Sequence, residues 1–293
     1  MKKMFLSLLL ISVFLGCFAQ TDSALSNRDS SSLYQMQTGS SFAGKSSGDQ
    51  VFRLKPKVDI PVTAVGVGWS LYAFTKIYSK PHSTEEEILA LNKNDLSGIN
   101  RFGVELYSPK AYDMGNVFFY SCMPYPLVLM LDKDIRKDAG KVAFLWAESM
   151  AVTGLLYTGA VYFHDKYRPY AYNPDVPMDH KTRGGAKNSF FAGHVALIGT
   201  STFFTAKVFA DYHPESRLKW VFYAIAIGTT GTMGYLRIIA GEHFLTDVLI
   251  GTAVGTCSGL LVPGFHKAGK DPKVTLLPYF NGKETGASLA LKL

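Results

Sequence analysis

The chain has 293 residues, of which 47% are hydrophobic and 18% charged, and its 30 Lys and Arg residues against 23 Asp and Glu residues give a net charge of +7. The low charged fraction, with apolar residues gathered in discrete runs, argues against an ordinary soluble domain and favours a membrane protein or a very apolar helical bundle. The length permits one large domain or two small ones.

The N-terminus has the pattern of a secretory signal peptide. Two lysines precede an apolar run from Phe5 to Phe18, and the small residue Ala19 follows it. This arrangement predicts a signal peptide over residues 1–19, with cleavage after Ala19. Two alternatives stay open, namely a lipoprotein signal modified at Cys17 and an uncleaved anchor helix.

The next segment, residues 20–50, is rich in Ser, Gly, Asp and Gln and has few large apolar side chains. Because such a segment buries too little apolar surface to offset the entropy of ordering, we expect a flexible leader. A helical domain is predicted over residues 51–273, followed by a separate tail over residues 274–293.

Six apolar stretches follow the leader, each close to the about 20 residues that a membrane-spanning helix requires. Several are rich in Gly, Ala, Ser and Thr, which allow helices to pack closely in a membrane, although a tightly packed soluble bundle has the same composition. The predicted fold class is all-α, a six-helix bundle embedded in a membrane. The stretches lie at residues 60–78, 115–131, 142–163, 189–210, 220–240 and 243–262.

Two shorter elements are predicted outside the bundle. The segment "STEEEILALNKNDLSGINRF" indicates a helix with an acidic first turn, capped by Ser83 or Thr84. In the tail, "VTLLPYF" and "SLALKL" flank Asn281-Gly282, which indicates a short C-terminal β-hairpin with a tight turn. Pro278 restricts the first strand to a sheet edge, and the alternative is a frayed terminus.

A basic loop leads into the fourth apolar stretch and ends at "FFAGH". A helix that begins here presents unpaired backbone N–H groups and the positive end of its dipole, so Ala192, Gly193 and His194 are placed where a phosphate can bind. Gly193 would allow an anion to approach the backbone closely. Taken alone, His194 is more often a structural histidine.

The stretch "RIIAGEHFLTD" places Arg237, His243 and Asp247 in an apolar neighbourhood. Arg237 and His243 are six positions apart, about 600° of helical rotation, so they do not share a face of one straight helix. We therefore expect a break at Gly241, with Arg237 ending one helix and His243 beginning the next. His243 and Asp247 are then one turn apart, on the same face.

These side chains suggest phosphoryl transfer. A carboxylate at Asp247 that binds one imidazole nitrogen of His243 leaves the other nitrogen free to act as a nucleophile. The planar guanidinium groups of Arg168 and Arg237 match the oxygens of a phosphoryl group. Simpler interpretations stay open for each residue alone, namely a helix-surface His–Asp pair and an interfacial arginine at position 168.

The pattern resembles the three motifs of the type 2 phosphatidic acid phosphatase superfamily, which includes lipid phosphatases, bacterial acid phosphatases and vanadium haloperoxidases. The first motif, Lys, six residues and Arg-Pro, is similar to Val161–Pro169, with valine in place of the lysine. The second, Pro-Ser-Gly-His, is similar to Phe191–His194. The third, Ser-Arg, five residues, His, three residues and Asp, is similar to Leu236–Asp247, with leucine in place of the serine.

The resemblance implies a role for each matching residue. His243 would attack phosphorus to form a phosphohistidine, Asp247 would orient His243, and His194 would protonate the leaving alkoxide. Cationic side chains and backbone amides would hold the phosphate oxygens. Ala192 keeps the amide of the missing serine, and Lys166, Lys187 and Arg183 are candidates to replace the missing lysine. The predicted phosphate ligands are Arg168, Arg237, Gly193, Ala192 and Lys166.

A metal-independent phosphatase follows from the resemblance, with no cofactor, and the sequence shows no evident His/Asp/Glu cluster for a metal. The apolar helices favour a lipid phosphate or pyrophosphate substrate, of the undecaprenyl pyrophosphate, phosphatidylglycerol phosphate or lipid A type. Expected partners are this lipid and a membrane, and no nucleic acid. A soluble periplasmic acid phosphatase for small monoesters, and an inactive homologue that binds lipids or anions, stay open as alternatives.

The expected location is the inner membrane of a bacterial cell envelope, with the site facing the periplasm. If a cleaved signal peptide leaves residue 20 outside and all six stretches span, however, the third stretch ends in the cytoplasm together with the catalytic loops. An outward-facing site therefore requires that one stretch does not span, and the stretch at residues 60–78 is the candidate.

Overall fold

The computed structural model describes residues 50–269, 274–280 and 285–291. The predicted signal peptide and the predicted leader up to residue 49 lie outside the described residues. Within the described residues, ten α-helices, joined in places by 3₁₀ turns, are followed by two strands. They are α1 (Pro56–Ile77), α2 (Glu85–Leu89), α3 (Gly98–Arg101), α4 (Pro109–Cys122), α5 (Lys133–Lys137), α6 (Ala139–Phe163), α7 (Met178–Lys181), α8 (Gly193–Tyr212), α9 (Leu218–Ile239), α10 (Leu245–Phe265), β1 (Val274–Phe280) and β2 (Thr285–Leu291).

The six longest of these helices correspond to the six predicted stretches, which confirms the helical fold class. The second stretch differs in detail, because α4 ends at Cys122 and a 3₁₀ helix, Tyr125–Leu131, continues the chain. Pro124 and Pro126 explain the change, since proline has no N–H to donate and its ring clashes with the preceding helical turn. The helix of the fourth predicted stretch, α8, begins at Gly193, whereas the apolar stretch itself begins at residue 189.

The bundle is built around α8, whose side chains are buried along nearly its whole length. Small residues let α10 approach it closely. A Cβ atom added at Gly251 would lie 2.6 Å from the carbonyl oxygen of Ala192, and one added at Gly259 would lie 2.7 Å from that of Thr200. Glycines spaced four apart on α10 therefore permit the close packing that the composition predicted.

In the part of the chain that the structure describes, two stretches are long and apolar enough to cross a membrane by length and composition. They are Pro109–Leu131, which covers α4 and the 3₁₀ helix after it, and Leu245–Phe265, which is α10. Other helices also present large apolar side chains outward, among them Val65 on α1 and Trp220 and Ile227 on α9.

The predicted acidic helix is α2, and its N-cap is Thr84. The Thr84 hydroxyl accepts a hydrogen bond from the Glu87 amide at 3.1 Å, and the Glu87 carboxylate accepts one from the Thr84 amide at 3.2 Å. This reciprocal capping box satisfies two backbone donors. Ser83, the alternative cap, has its hydroxyl 2.7 Å from that of Tyr167 instead.

In the tail, β1 and β2 pair antiparallel, with Val274 opposite Leu291 and Phe280 opposite Thr285. The predicted tight turn at Asn281-Gly282 lies outside the described residues.

Candidate active site

The junction between α9 and α10 contains the predicted break at Gly241. Gly241 has a φ of 72°, and a Cβ atom there would lie 2.5 Å from the carbonyl oxygen of Leu106, so only glycine fits this turn. Arg237 occupies the last turn of α9, and His243 lies just before the first residue of α10. The Gly241 carbonyl also accepts a hydrogen bond from the Tyr170 amide at 3.0 Å, which fixes the chain after Arg168 against this junction.

His243 is buried, and its surroundings fix its tautomer. Nδ1 lies 2.7 Å from the backbone carbonyl oxygen of Ser189. Because a carbonyl oxygen only accepts, Nδ1 carries the proton and Nε2 of the neutral ring keeps its lone pair. Burial, followed by the positive charge of Arg168, holds the pKa of His243 well below its usual range. The ring is therefore neutral at pH 7, as a nucleophile requires.

Asp247 does not have the predicted partner. Its carboxylate accepts hydrogen bonds from the Ser189 hydroxyl at 2.7 Å, the Phe244 amide at 3.1 Å and the Lys166 ammonium at 2.6 Å. The carboxylate lies in the first turn of α10, where unpaired N–H groups and the helix dipole attract an anion. The predicted direct bond to His243 is thus wrong, and Asp247 reaches that ring only through Ser189.

Lys166 was predicted to replace the missing motif lysine at the phosphate, and the structure places it elsewhere. Its ammonium forms the ion pair with the buried Asp247, 4.9 Å from the centroid of the Phe244 ring. Val161, at the lysine position, is buried in an apolar cluster. Lys80 brings an ammonium group to that region, because it donates to the Val161 carbonyl at 2.7 Å. No motif in the sequence indicated this contact between residues 81 positions apart.

Arg237 is almost fully buried, with 1% of its surface exposed. One terminal nitrogen donates to the Asn116 side chain at 2.8 Å, and the guanidinium carbon lies 5.5 Å from the centroid of the Tyr112 ring. Its Nε has no hydrogen-bond partner among the described residues. A buried donor left unpaired costs about 1–3 kcal/mol, so this N–H is suited to an anionic ligand.

Arg168 is held by two acceptors. Its Nε donates to the Gly185 carbonyl at 3.1 Å, and its Nη1 forms an ion pair with the buried carboxylate of Glu242. Glu242 is not among the site residues predicted from the sequence. An acidic residue next to His243 in an apolar stretch was the available signal, because a buried carboxylate requires a partner.

A cavity of about 290 Å³ opens beside this ion pair. Arg168 and Glu242 line it, and Tyr112, which also contacts Arg237, forms part of its wall. Arg168 therefore borders the cavity directly, whereas the buried Arg237 is connected to it through Tyr112. The other lining residues are Tyr107, Pro109, Asp113, Tyr170, His180, Arg183, Gly185 and Ala240.

The second motif is placed as predicted at the start of α8, but its groups have other contacts. The Ala192 amide donates to the Asp247 carbonyl at 3.1 Å, and its role as a phosphate ligand stays a prediction. Gly193 is required by packing, because a Cβ atom there would lie 2.5 Å from the Tyr157 ring. The His194 ring packs edge-on against Phe119, with centroids 4.6 Å apart.

Residues from separate parts of the chain thus meet at one end of the bundle, where α6 and α9 end and α8 and α10 begin. Arg168, Arg237 and His194 all lie close enough to His243 to lower its pKa. Ser189, which sequence reasoning missed, connects His243 to Asp247. Its signal was only a serine three residues before Ala192.

Comparison with known proteins shows which family the chain resembles. Residues 142–270 match the model of the PAP2 superfamily. LpxE from Aquifex aeolicus is 23% identical, with 57% of this chain and 96% of that one covered and a TM-score of 0.39. A transmembrane PAP2-type phosphatidylglycerolphosphate phosphatase from Bacillus subtilis is 17% identical, with 73% and 98% covered and a TM-score of 0.43. No curated protein matches the chain.

The match to this family model supports a phosphatase. Residues 142–270, which are less than half of the chain, are similar to the PAP2 superfamily. This confirms the resemblance that the three motifs predicted.

Proposed function

We propose that the protein is a membrane-embedded phosphatase that hydrolyses a lipid phosphate or pyrophosphate through a phosphohistidine. The observation that supports this chemistry best is the neutral, buried His243 ring, whose Nε2 keeps its lone pair, in the same site as the unpaired Nε of Arg237. A nucleophile and an unsatisfied cationic donor are the two groups that phosphoryl transfer needs first.

In the proposed first step, Nε2 of His243 attacks phosphorus, a P–N bond forms and the bond to the leaving oxygen breaks. His194 would act as the general acid and give a proton to that oxygen. In the second step, water attacks the phosphohistidine, His194 takes a proton from the water, and phosphate leaves. Asp247 acts as a positioning residue, because it holds Ser189, whose carbonyl fixes the His243 tautomer.

The two arginines would stabilise the charge on the phosphoryl oxygens. Arg237 offers its Nε, and Arg168 offers Nη2, since its other nitrogens already contact Gly185 and Glu242. Removing one such hydrogen-bond donor from a preorganised site lowers kcat about 10²–10³-fold. Glu242 holds the Arg168 guanidinium in place without occupying that nitrogen.

A lipid substrate is supported by the apolar exterior beside the cavity. Pro109 and Tyr112 of α4 line the cavity, and Met114 and Val117 of the same helix face outward. Large contiguous apolar surfaces are typical of contact with lipid or another apolar partner. An acyl or prenyl chain would lie along α4 while its phosphate enters the cavity. Undecaprenyl pyrophosphate, phosphatidylglycerol phosphate and lipid A are the substrate types to compare.

The test is phosphate release by the full chain, purified in detergent without added metal, from these lipids and from a small phosphate monoester. We expect the lipids to be preferred and His243→Ala to lower the rate at least about 10³-fold. His82→Ala, at an exposed histidine, is the matched control and should keep full activity. Unchanged release by His243→Ala would sink the mechanism, and preference for the small monoester would indicate an acid phosphatase.

We also propose that the site faces the periplasm from the inner membrane. Arg183 is exposed and lines the cavity, so Arg183→Cys reports the side of the membrane directly. In a background without the three native cysteines, an impermeant thiol reagent should label this residue in intact cells. Labelling only after lysis would place the site in the cytoplasm.

A further inference from the structure

Three ionisable side chains meet in the interior, away from the phosphatase site. Asp59 lies on α1, Glu148 on α6, and His266 directly after α10, and they are only 2%, 5% and 7% exposed. One potential ligand atom from each lies within 4.8 Å of the other two. No local pattern in the sequence indicates this cluster, because the three residues are far apart in the chain.

His266 directs its Nε2 atom toward the two carboxylates of this cluster. Nδ1 lies 2.7 Å from the carbonyl oxygen of Val262, so it carries the ring proton and donates it. In the neutral ring, Nε2 is then a lone-pair donor, and it lies 3.1 Å from Asp59 Oδ1 and 3.6 Å from Glu148 Oε2. In metal-binding histidines, the N–H of the other ring nitrogen commonly donates a hydrogen bond to a backbone carbonyl in this way.

Glu148 supplies the second observation. Its Oε2 is buried and has no hydrogen-bond partner in the part of the chain that the structure describes. It is aimed at His266, beyond hydrogen-bond reach. Two buried carboxylates so close together are strongly unfavourable unless a proton or a cation is shared among them.

The distances suit a small tetrahedral ion. Zinc bonds of about 2.0–2.1 Å to nitrogen and oxygen imply ligand atoms about 3.3–3.4 Å apart. The separations from His266 Nε2, 3.1 Å to Asp59 and 3.6 Å to Glu148, lie on either side of that value. One nitrogen and two carboxylate oxygens also form a donor set that zinc accepts.

We propose that Asp59, Glu148 and His266 bind a divalent transition-metal ion of the Zn²⁺ type, with water as the fourth ligand. The ion would join α1, α6 and the end of α10. Because α10 has 21 residues that rise about 1.5 Å each, the ion lies roughly 30 Å from His243. Its role is thus structural and separate from phosphoryl transfer.

The experiment uses the full chain in detergent, stripped with a chelator and then given Zn²⁺. Bound zinc is measured by mass spectrometry, and Tm is followed as zinc increases. Wild type should bind one zinc per chain and gain Tm with saturation, whereas His266→Ala and Glu148→Gln should each lose most of the zinc. The control is His213→Ala, which removes a His–Asp pair of 2.9 Å outside this cluster and should bind zinc as wild type does.

Two results would overturn the proposal. One is wild-type protein that binds less than half an equivalent of zinc, which needs no variant and so holds even if a variant fails to fold. The other is a Glu148→Gln protein that folds and keeps the full equivalent of zinc with an unchanged affinity. Either result would mean that the cluster holds a proton rather than a metal.

Discussion

Lys166→Met tests whether Lys166 serves Asp247 or the phosphate. The ammonium of Lys166 lies 2.6 Å from the carboxylate of Asp247, which is fully buried, while 23% of the lysine side chain is exposed. Methionine keeps most of the length of the side chain and its contact with the Phe244 ring but removes the charge. Asp247 would then retain two donors, the Ser189 hydroxyl and the Phe244 amide.

The expected loss of stability follows from these contacts. Removing one partner of a buried ion pair costs about 3–5 kcal/mol, because the other charge is left uncompensated. The partial exposure of Lys166 and the two remaining donors reduce the cost to about 2–3 kcal/mol. At about 2–4 °C per kcal/mol for a chain of this size, Tm should fall by about 4–12 °C.

The assay compares Tm, kcat, KM and the inhibition constant of inorganic phosphate. We expect lower Tm and kcat, with KM and phosphate affinity within about twofold of wild type, because the lysine positions Asp247 and does not hold substrate. Lys187→Met is the control in the same loop. The double variant Lys166→Met/Asp247→Asn should recover part of the lost stability, since no charge is left unpaired. Tenfold weaker phosphate binding with an unchanged Tm would refute the reasoning.

Three further predictions concern the rest of the site. Gly193→Ala places a Cβ atom 2.5 Å from the Tyr157 ring and should cost about 1–3 kcal/mol, whereas Gly228→Ala, with open space at its Cβ position, should leave Tm unchanged or slightly higher. Arg237→Lys cannot both reach Asn116 and replace the unpaired Nε, so kcat/KM should fall about 10²–10³-fold; a change below threefold would contradict this role. The pKa of His243 is lowered from the usual histidine value of about 6.5. The acidic limb of the pH profile of kcat/KM should therefore lie below about pH 6.5.

The same shift has a consequence for stability. The folded-state pKa of His243 lies below its unfolded value, so the unfolded chain binds the extra proton more readily. Stability from the neutral ring is therefore fully present above about pH 6.5 and is lost as the pH falls toward the folded pKa. His243→Gln should reduce the drop in Tm between neutral and mildly acidic pH, and an equal drop in both proteins would show that other groups cause it.

Local features of the sequence were enough to predict the helices and the motif positions. Long apolar runs set the six main helices, and the break at Gly241 followed from the spacing of Arg237 and His243. The cap at Thr84 was also predictable, because capping depends on residues three positions apart. In each case the residues that decide the structure are neighbours in the chain.

Only the tertiary structure decided which groups contact one another. Lys166 and Asp247 are 81 residues apart, and Ser189 and Asp247 are 58 residues apart. No local pattern could therefore show that the Asp247 carboxylate binds Lys166 and Ser189 instead of His243. Packing of distant helices likewise brought Glu148 to His266 and left its carboxylate unpaired. The sequence determined the helices and the candidate chemistry through short-range periodicity and spacing. The partners of each buried charge depended on long-range packing, because a buried charge must find its counterpart wherever the fold places one.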